Sequence, residues 1–312
     1  MNALQPVYQV MDQGILQDFI NSLLVETIIP EHFIFDFATA QTALNQHGKN
    51  LQEVFKNTSE QVSFVLLHEE SRQGLVMFAV QKGITQAWKL ANGTEVFLLE
   101  RTNDHVQINV IGIIELFEFI QAIGLFNQCS TDKVQAFYEQ LQKCLKQYHL
   151  LQQHRVNAHD LLNQSSAHRF RILEQYAGYR DRPYHPLAKL KEGLSQQEYM
   201  QYCPEFAQEL SIHWVAVHKD KMMFGEGVEN IFKQQPSEIF IPRAERYQLK
   251  QEMFQRGLNE THIAMPIHPW QFEHLFPKFY ADDIADGVCH PLNFISKGMY
   301  ASASMRSLLS KN

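Results

Sequence analysis

Between Gln61 and Glu100 apolar side chains recur at every second position, and this period constrains the fold more than any other stretch. Val62, Phe64 and Leu66 alternate with their neighbours, as do Leu75, Met77 and Ala79, and then Val96 and Leu98. A period of two places successive side chains on opposite faces of a strand. Gly74, Gly83 and Asn92-Gly93 punctuate the runs. Asn-Gly between such runs is the signature of a tight hairpin turn, because both central residues of that turn need positive φ. The stretch therefore predicts a small antiparallel meander with a hairpin at Asn92-Gly93, and it excludes an all-helical chain.

Helical spacing flanks the meander. Leu16, Phe19, Ile20 and Leu23 predict a helix over 12–26, and a second is expected over 111–126. A long amphipathic helix over 132–155 carries Val134, Phe137, Leu141, Cys144 and Leu145 on one face. A further helix is expected over 157–175, followed by loop chemistry from Gly178 to Pro183. Ser195-Gln196-Gln197-Glu198 reads as a capping box, starting a short helix that stops near Pro204. Ile212, Trp214, Ala216 and His218 alternate as a strand, 243–257 reads as helix, and His262–Ile267 as a short strand. The fold class expected is α+β, with a mixed helical domain over 1–155 and an α+β domain with an antiparallel sheet over 156–312.

Composition narrows the function classes. The chain has 312 residues, 45% of them hydrophobic and 20% charged, as in ordinary globular proteins. Lys+Arg 27 against Asp+Glu 34 gives a net charge of −7, which argues against a generic nucleic-acid surface. There is no apolar run of membrane-spanning length, and no basic stretch followed by an apolar one at the N-terminus. A cytoplasmic protein with no membrane partner is expected. The four cysteines, Cys129, Cys144, Cys203 and Cys289, form no Cys-x-x-Cys pair and read as reduced thiols.

Three segments can carry chemistry. In Pro183-Tyr184-His185-Pro186, two prolines stiffen the backbone around His185, with Lys189 and Lys191 following. A rigid imidazole with ammonium groups nearby suits a polyphosphate, whereas the plain alternative is a Pro-rich loop with solvated lysines. Pro266-Ile267-His268-Pro269-Trp270-Gln271 repeats the His-Pro pair at a strand end. Its plain alternative makes Trp270 a core anchor and His268 a residue satisfied by backbone hydrogen bonds. Ser302-Ala303-Ser304-Met305-Arg306-Ser307 sets hydroxyls around one arginine, a combination that can wrap a phosphate, although serine-rich C-termini are commonly frayed. A metal site finds little support. His149 with His154, and His213 with His218, are five apart, and neither helix nor strand places such pairs side by side. Asp282, Asp283 and Asp286 with Glu273 offer carboxylates for magnesium, but a solvated acidic loop is the simpler reading.

Taken in order, these segments resemble the NRPS-independent siderophore synthetases, the IucA/IucC (aerobactin synthetase-like) family. The resemblance rests on Pro183-Tyr184-His185-Pro186 with Lys189 and Gly193, then Tyr202-Cys203-Pro204-Glu205-Phe206 followed by Trp214-Val215-Ala216-Val217. Pro266-Ile267-His268-Pro269-Trp270-Gln271 and Ser304-Met305-Arg306-Ser307 complete it, over about residues 170–307. It implies an ATP-dependent ligase that activates a carboxylate of citrate or a related polycarboxylic acid as an acyl-adenylate. An amine, hydroxylamine or alcohol then attacks, and AMP leaves. It also implies a hand-like fold in which residues 1–155 are a thumb, 156–312 are fingers, and a kinase-like palm lies beyond this chain.

By position, the resemblance assigns His185, Ser304, Arg306 and Ser307 to the ATP phosphates, with His185 and Arg306 catalytic and Lys189 a further contact. His268 and Gln271 would shape the site, and ATP and magnesium would be the cofactors. Around Pro277, the residues Phe272, Leu275, Phe276 and Phe279 cannot all be solvated comfortably, so the chain is expected to self-associate as a homo-oligomer. The sequence departs from the family pattern in three places. Asp181-Arg182 replaces Gly-His, Lys191 stands where arginine is usual, and Ser307 replaces threonine. Two rival readings remain: a non-catalytic binding module derived from the same fold, and a histidine-rich metal-binding protein.

Overall fold

One strand organises the first half of the chain, because its side chains are apolar on both faces. In the computed structural model, which describes residues 13–56, 62–69, 74–102, 105–154, 161–162, 164–180, 185–223, 236–304 and 308–310, this strand spans Gly74–Lys82. The chain divides into two compact units, one of residues 1–153 with 181–191 and the other of 154–180 with 192–312.

The first unit runs α1 (Gln13–Val25), β1 (Ile34–Phe35), α2 (Phe37–Asn45), α3 (Leu51–Val54), β2 (Ser63–Glu69), β3 (Gly74–Lys82), β4 (Trp88–Leu90), β5 (Phe97–Thr102), β6 (His105–Val110), α4 (Ile113–Ala122) and α5 (Thr131–Gln152). Its antiparallel sheet has the order β1-β2-β3-β5-β6, with β4 also paired to β3. The sequence alternation undercounts the burial of β3. Leu75, Met77 and Ala79 pack with Ala40, Leu44 and Leu51 on one face. Val76, Phe78 and Val80 pack with Phe19, Ile20, Phe117 and Leu141 of α1, α4 and α5 on the other. Helices thus cover both faces, and the strand reads as a continuous apolar run.

The expected hairpin at Asn92-Gly93 needs correction. A turn forms there, with Gly93 at φ 71°, but the strands on either side do not pair with each other. β4 lies along residues 80–82 of β3 and β5 along residues 74–77 of the same edge. The nine-residue β3 is long enough to hold both partners end to end, and Ala91 N donates to Ala79 O at 2.9 Å before the turn begins.

Residues 185–191 cluster with this first unit, although they follow residue 155 in the sequence. The Gln147 side chain explains the attachment. Its Nε2 donates to Lys191 O at 3.0 Å and its Oε1 accepts from Lys191 N at 2.8 Å, as a paired strand would do. Leu187 and Leu190 pack on the α1–α4–α5 core.

The second unit runs α6 (Ser166–Arg180), α7 (Gln196–Tyr202), β7 (Glu209–His218), α8 (Pro236–Phe240), α9 (Arg243–Gln255), β8 (His262–Ile267), α10 (Pro269–His274), α11 (Phe276–Phe279), α12 (Ala281–Ala285), β9 (Cys289–Ala301) and β10 (Leu308–Ser310). Its antiparallel sheet has the order β10-β9-β7-β8. The capping box at α7 forms as expected, Ser195 Oγ accepting from Glu198 N and Glu198 Oε2 from Ser195 N. α6 continues through Gly178, which the sequence reading gave to a loop. A Cβ at Gly178 would lie 3.0 Å from Pro204 Cγ, so glycine permits this close approach. Residues 155–160 and 163, where the same reading began that helix, lie outside the described residues.

Trp214 is fully buried beside Leu249 and Met253 of α9, and its Nε1 donates to Ser296 Oγ at 2.9 Å. The α9 carboxylate of Glu252 accepts from both Asn293 N (2.7 Å) and Phe294 N (2.9 Å) of β9. Of the apolar residues around Pro277, Phe276 is buried whereas Phe279 is 74% exposed.

Candidate functional site

The topology of the second sheet gathers the motif segments of its unit at one end. β7 lies between β8 and β9 and runs antiparallel to both, so its start lies beside their ends. Glu209 faces Tyr300, and His213 faces Ile267. Tyr202–Phe206 leads into β7, His268 leaves β8, and Ser302–Ser304 leaves β9.

Helix α6 and Tyr202 tie these three segments together. The Tyr202 ring meets His268 edge-on at 5.2 Å and packs on buried Leu210, Ile212 and Met299. Gln175 Nε2 donates to Glu205 O at 2.8 Å, and Glu205 is itself buried. Four residues earlier in α6, the Arg171 guanidinium lies 4.7 Å from the Tyr300 ring centroid, a cation–π distance. Glu174 Oε2 accepts from Ala303 N at 2.7 Å. Ser302 is buried, and its hydroxyl bonds that of Ser304 at 2.9 Å.

Burial holds the His268 pKa below its ordinary value, so the ring is neutral near pH 7. Its Nδ1 accepts from Trp270 N at 3.2 Å and caps α10, with Pro269 in the first turn. Nε2 therefore carries the proton. Burial, reinforced by Glu273 and Glu198, raises the Tyr202 pKa and keeps the phenol protonated. The backbone-satisfied reading of His268 thus describes its Nδ1. Trp270 is half-buried beside His274, so the core tryptophan of this unit is Trp214.

His185 repeats the same device within the first unit. Its Nδ1 accepts from Leu187 N at 3.2 Å, which leaves the proton on Nε2 as an outward donor on an exposed side chain. Lys189 is only 8% exposed, which excludes the solvated-lysine reading. His185 and Lys189 thus belong to one unit and Ser304 to the other. Arg306 and Ser307 lie outside the described residues. In sequence they fall between β9 and β10, which pair from Ala301 and Leu308 onward. Among the described residues no group of three or more His, Cys, Asp or Glu is arranged to hold a metal ion, Asp282, Asp283, Asp286 and Glu273 included. No helix of the described residues is long and apolar enough to cross a membrane.

The sequence reading missed Arg171, Glu174 and Gln175. Polar residues one turn apart on a helix look like any solvated face, and their partners lie 30 to 129 residues away.

Comparison with known proteins bears on the same stretch. Residues 169–312 match the model of the IucA / IucC family. Staphyloferrin B synthase of Staphylococcus aureus is 36% identical over 148 residues, covering 46% of this chain and 24% of that protein. The citryl-spermidine/3,4-dihydroxybenzoyl-citryl-spermidine:spermidine ligase of Bacillus anthracis is 31% identical over 128 residues, 40% of this chain and 21% of the relative. The solved structure of the petrobactin biosynthesis protein AsbB from Bacillus anthracis superposes with a TM-score of 0.65 at 19% identity. It covers 96% of this chain and 44% of AsbB, and at that identity the likeness is one of fold. The chain thus spans less than half of the solved relative's length. The motif segments at the end of the second sheet all lie within the matched residues 169–312.

Proposed function

We propose that this chain is the thumb-and-fingers part of a siderophore synthetase and supplies phosphate-contacting groups for carboxylate adenylation. The observation that carries the reading is the convergence, within the matched residues 169–312, of the Tyr202–Phe206, His268 and Ser302–Ser304 segments at one sheet end. In the reaction a carboxylate oxygen of a citrate-type acid attacks the α-phosphorus of ATP. The bond from that phosphorus to the bridging oxygen breaks, and pyrophosphate leaves. An amine then attacks the acyl carbon, the acyl–oxygen bond breaks, and AMP and a proton are released. The name of the Bacillus anthracis relative includes citryl-spermidine and spermidine, which supports a citrate-derived acid and a polyamine-type nucleophile as the substrate classes.

This chain contributes donors. The Nε2–H of His185, the hydroxyls of Ser304 and Ser307, and the guanidinium of Arg306 are assigned to the phosphate oxygens, where fixed donors stabilise developing charge. Lys189 is assigned to the same anion as a point charge. ATP is substrate here. Magnesium finds no ligand set among the described residues, so no step is routed through it.

Calorimetric titration of the chain with Mg·ATP, beside Arg306→Ala, tests the reading. Saturable binding that the substitution weakens supports a phosphate site in this half. In the full-length protein, Arg306→Ala should slow carboxylate-dependent exchange of pyrophosphate into ATP by about 10²–10³-fold. A near-wild-type rate would remove Arg306 from that role. A folded chain with no nucleotide affinity, alone or joined to the rest of a full-length protein, would favour the binding-module alternative.

A further inference from the structure

We infer that Glu174 is the positioning residue of the serine turn, holding Ser302–Ser304 where its hydroxyls serve the phosphate site; this rests on the adenylation reading above. The turn leaves β9 at Ala301, and the chain re-enters the sheet at Leu308, opposite Ala301. Strand pairing fixes those two ends and says nothing about the turn between them.

Glu174 supplies a constraint from outside the hairpin. Its carboxylate accepts the Ala303 backbone N–H at 2.7 Å across 129 residues of chain. Such a charge-assisted bond is stronger than a neutral one. One helical turn earlier, Arg171 lies over the Tyr300 ring at 4.7 Å. The two α6 side chains therefore hold positions 300 and 303 of one strand–turn junction. Gly178, one further turn along, lets α6 approach the Pro204 and Glu205 side chains closely. The helix that sets the serine turn is thus itself seated on the Pro-Glu-Phe motif.

The chemistry argues for positioning and against catalysis. A carboxylate free to face a phosphate would repel it. Glu174 is half-buried, and one of its oxygens is engaged by a backbone donor. What the turn requires at 174 is an acceptor oxygen at the right height on α6. Glutamine keeps that oxygen and loses the charge, whereas alanine loses both.

The experiment compares the wild-type chain, Glu174→Ala and Glu174→Gln. It measures Mg·ATP affinity by calorimetry, Ala303 amide exchange and the thermal midpoint. Glu174→Ala should weaken Mg·ATP binding about tenfold, the scale of one lost hydrogen bond. It should also speed Ala303 exchange by at least about tenfold, with the midpoint shifted by no more than ~2 °C. Glu174→Gln should stay within about threefold of wild type in both readouts, a rescue that a purely charge-based role would not give. Wild-type affinity in Glu174→Ala, or equal losses in both variants, overturns the inference. If the wild-type chain binds no Mg·ATP, alone or joined to the rest of a full-length protein, the adenylation reading fails separately. Ala303 exchange then decides the clamp alone: unchanged exchange in Glu174→Ala overturns it, and accelerated exchange upholds it.

Discussion

The two sheets of this protein solve burial differently. β3 of the first unit is buried along Gly74–Val80, with helices on both faces. β9 of the second unit alternates in its centre, leaving Asn293, Ile295 and Lys297 exposed. A strand sealed on both faces is a scaffold, because every side chain is committed to packing. An open strand must satisfy part of its backbone and side chains by other means. In the second unit polar groups do this: Glu252 on the Asn293 and Phe294 amides, Ser296 on Trp214, and Glu174 on Ala303. The Tyr202, His268 and Ser302–Ser304 segments belong to the sheet that is held by such specific polar bonds, whereas His185 and Lys189 belong to the first unit.

That contrast can be broken at its strongest point first. Phe78→Ala opens a cavity in the doubly covered sheet and should cost about 3–5 kcal/mol, since Phe78 is fully buried. Segment-resolved hydrogen exchange should show the loss in β2, β3 and β5. An equal loss in β7–β9 would mean that the two units unfold as one. Glu252→Ala should cost about 2–4 kcal/mol by leaving two backbone donors of β9 without their acceptor. Denaturant melts followed by Trp214 fluorescence would register it, and a loss below 1 kcal/mol would show that water replaces the carboxylate.

Gly178→Ala is a finer probe. Alanine favours a helix interior by about 1 kcal/mol, but its methyl would meet the stiff Pro204 ring at 3.0 Å. Overpacking should win by about 1 kcal/mol, and a stabilised variant would mean that α6 can shift without cost.

The smallest expected effect is a pH slope at the far end of the second sheet. There His262 sits between His218 and His290, each ring at 5.0 Å. Its Nε2 donates to Gly287 O, and its Nδ1 bonds the Thr261 hydroxyl. Burial foremost, then His290, His218 and Lys219, hold its pKa below the ordinary 6.5, outweighing the Gly287 bond. The unfolded chain therefore binds the proton first. The stabilisation is complete above about pH 6.5 and is lost as pH falls through the lower folded value. His262→Gln should flatten the acid limb of second-unit stability between pH 7 and 5, as read by exchange. An unchanged slope would assign that limb to other groups, with half-buried His213 and His268 next in line.

Local chemistry was legible in the sequence wherever one short stretch decides the outcome. The Ser195–Glu198 capping box, the His262–Ile267 strand and the turn at Gly93 all follow from neighbouring residues. The partner of a strand is a different matter. Nothing within Ala91–Val96 states that β4 and β5 share one edge of β3, because that depends on the length of a strand elsewhere. The motif histidines were visible, and so was the stiffening by proline. The fixed tautomer of His185 and His268 was not, because it depends on an amide two residues on that folds back to the ring.

By itself the sequence determined the α+β class, the apolar periods of the helices and strands, and the ordered motif segments that make residues 169–312 similar to the IucA / IucC family. The tertiary structure alone decided that the Tyr202, His268 and Ser302–Ser304 segments share one sheet end, that residues 185–191 pack with the first unit, and that Glu174 and Arg171 of α6 grip the strand they never neighbour in sequence. The physical reason is range. Propensity and capping act over a few residues, whereas antiparallel pairing and a carboxylate on a distant amide act only once the chain has closed on itself.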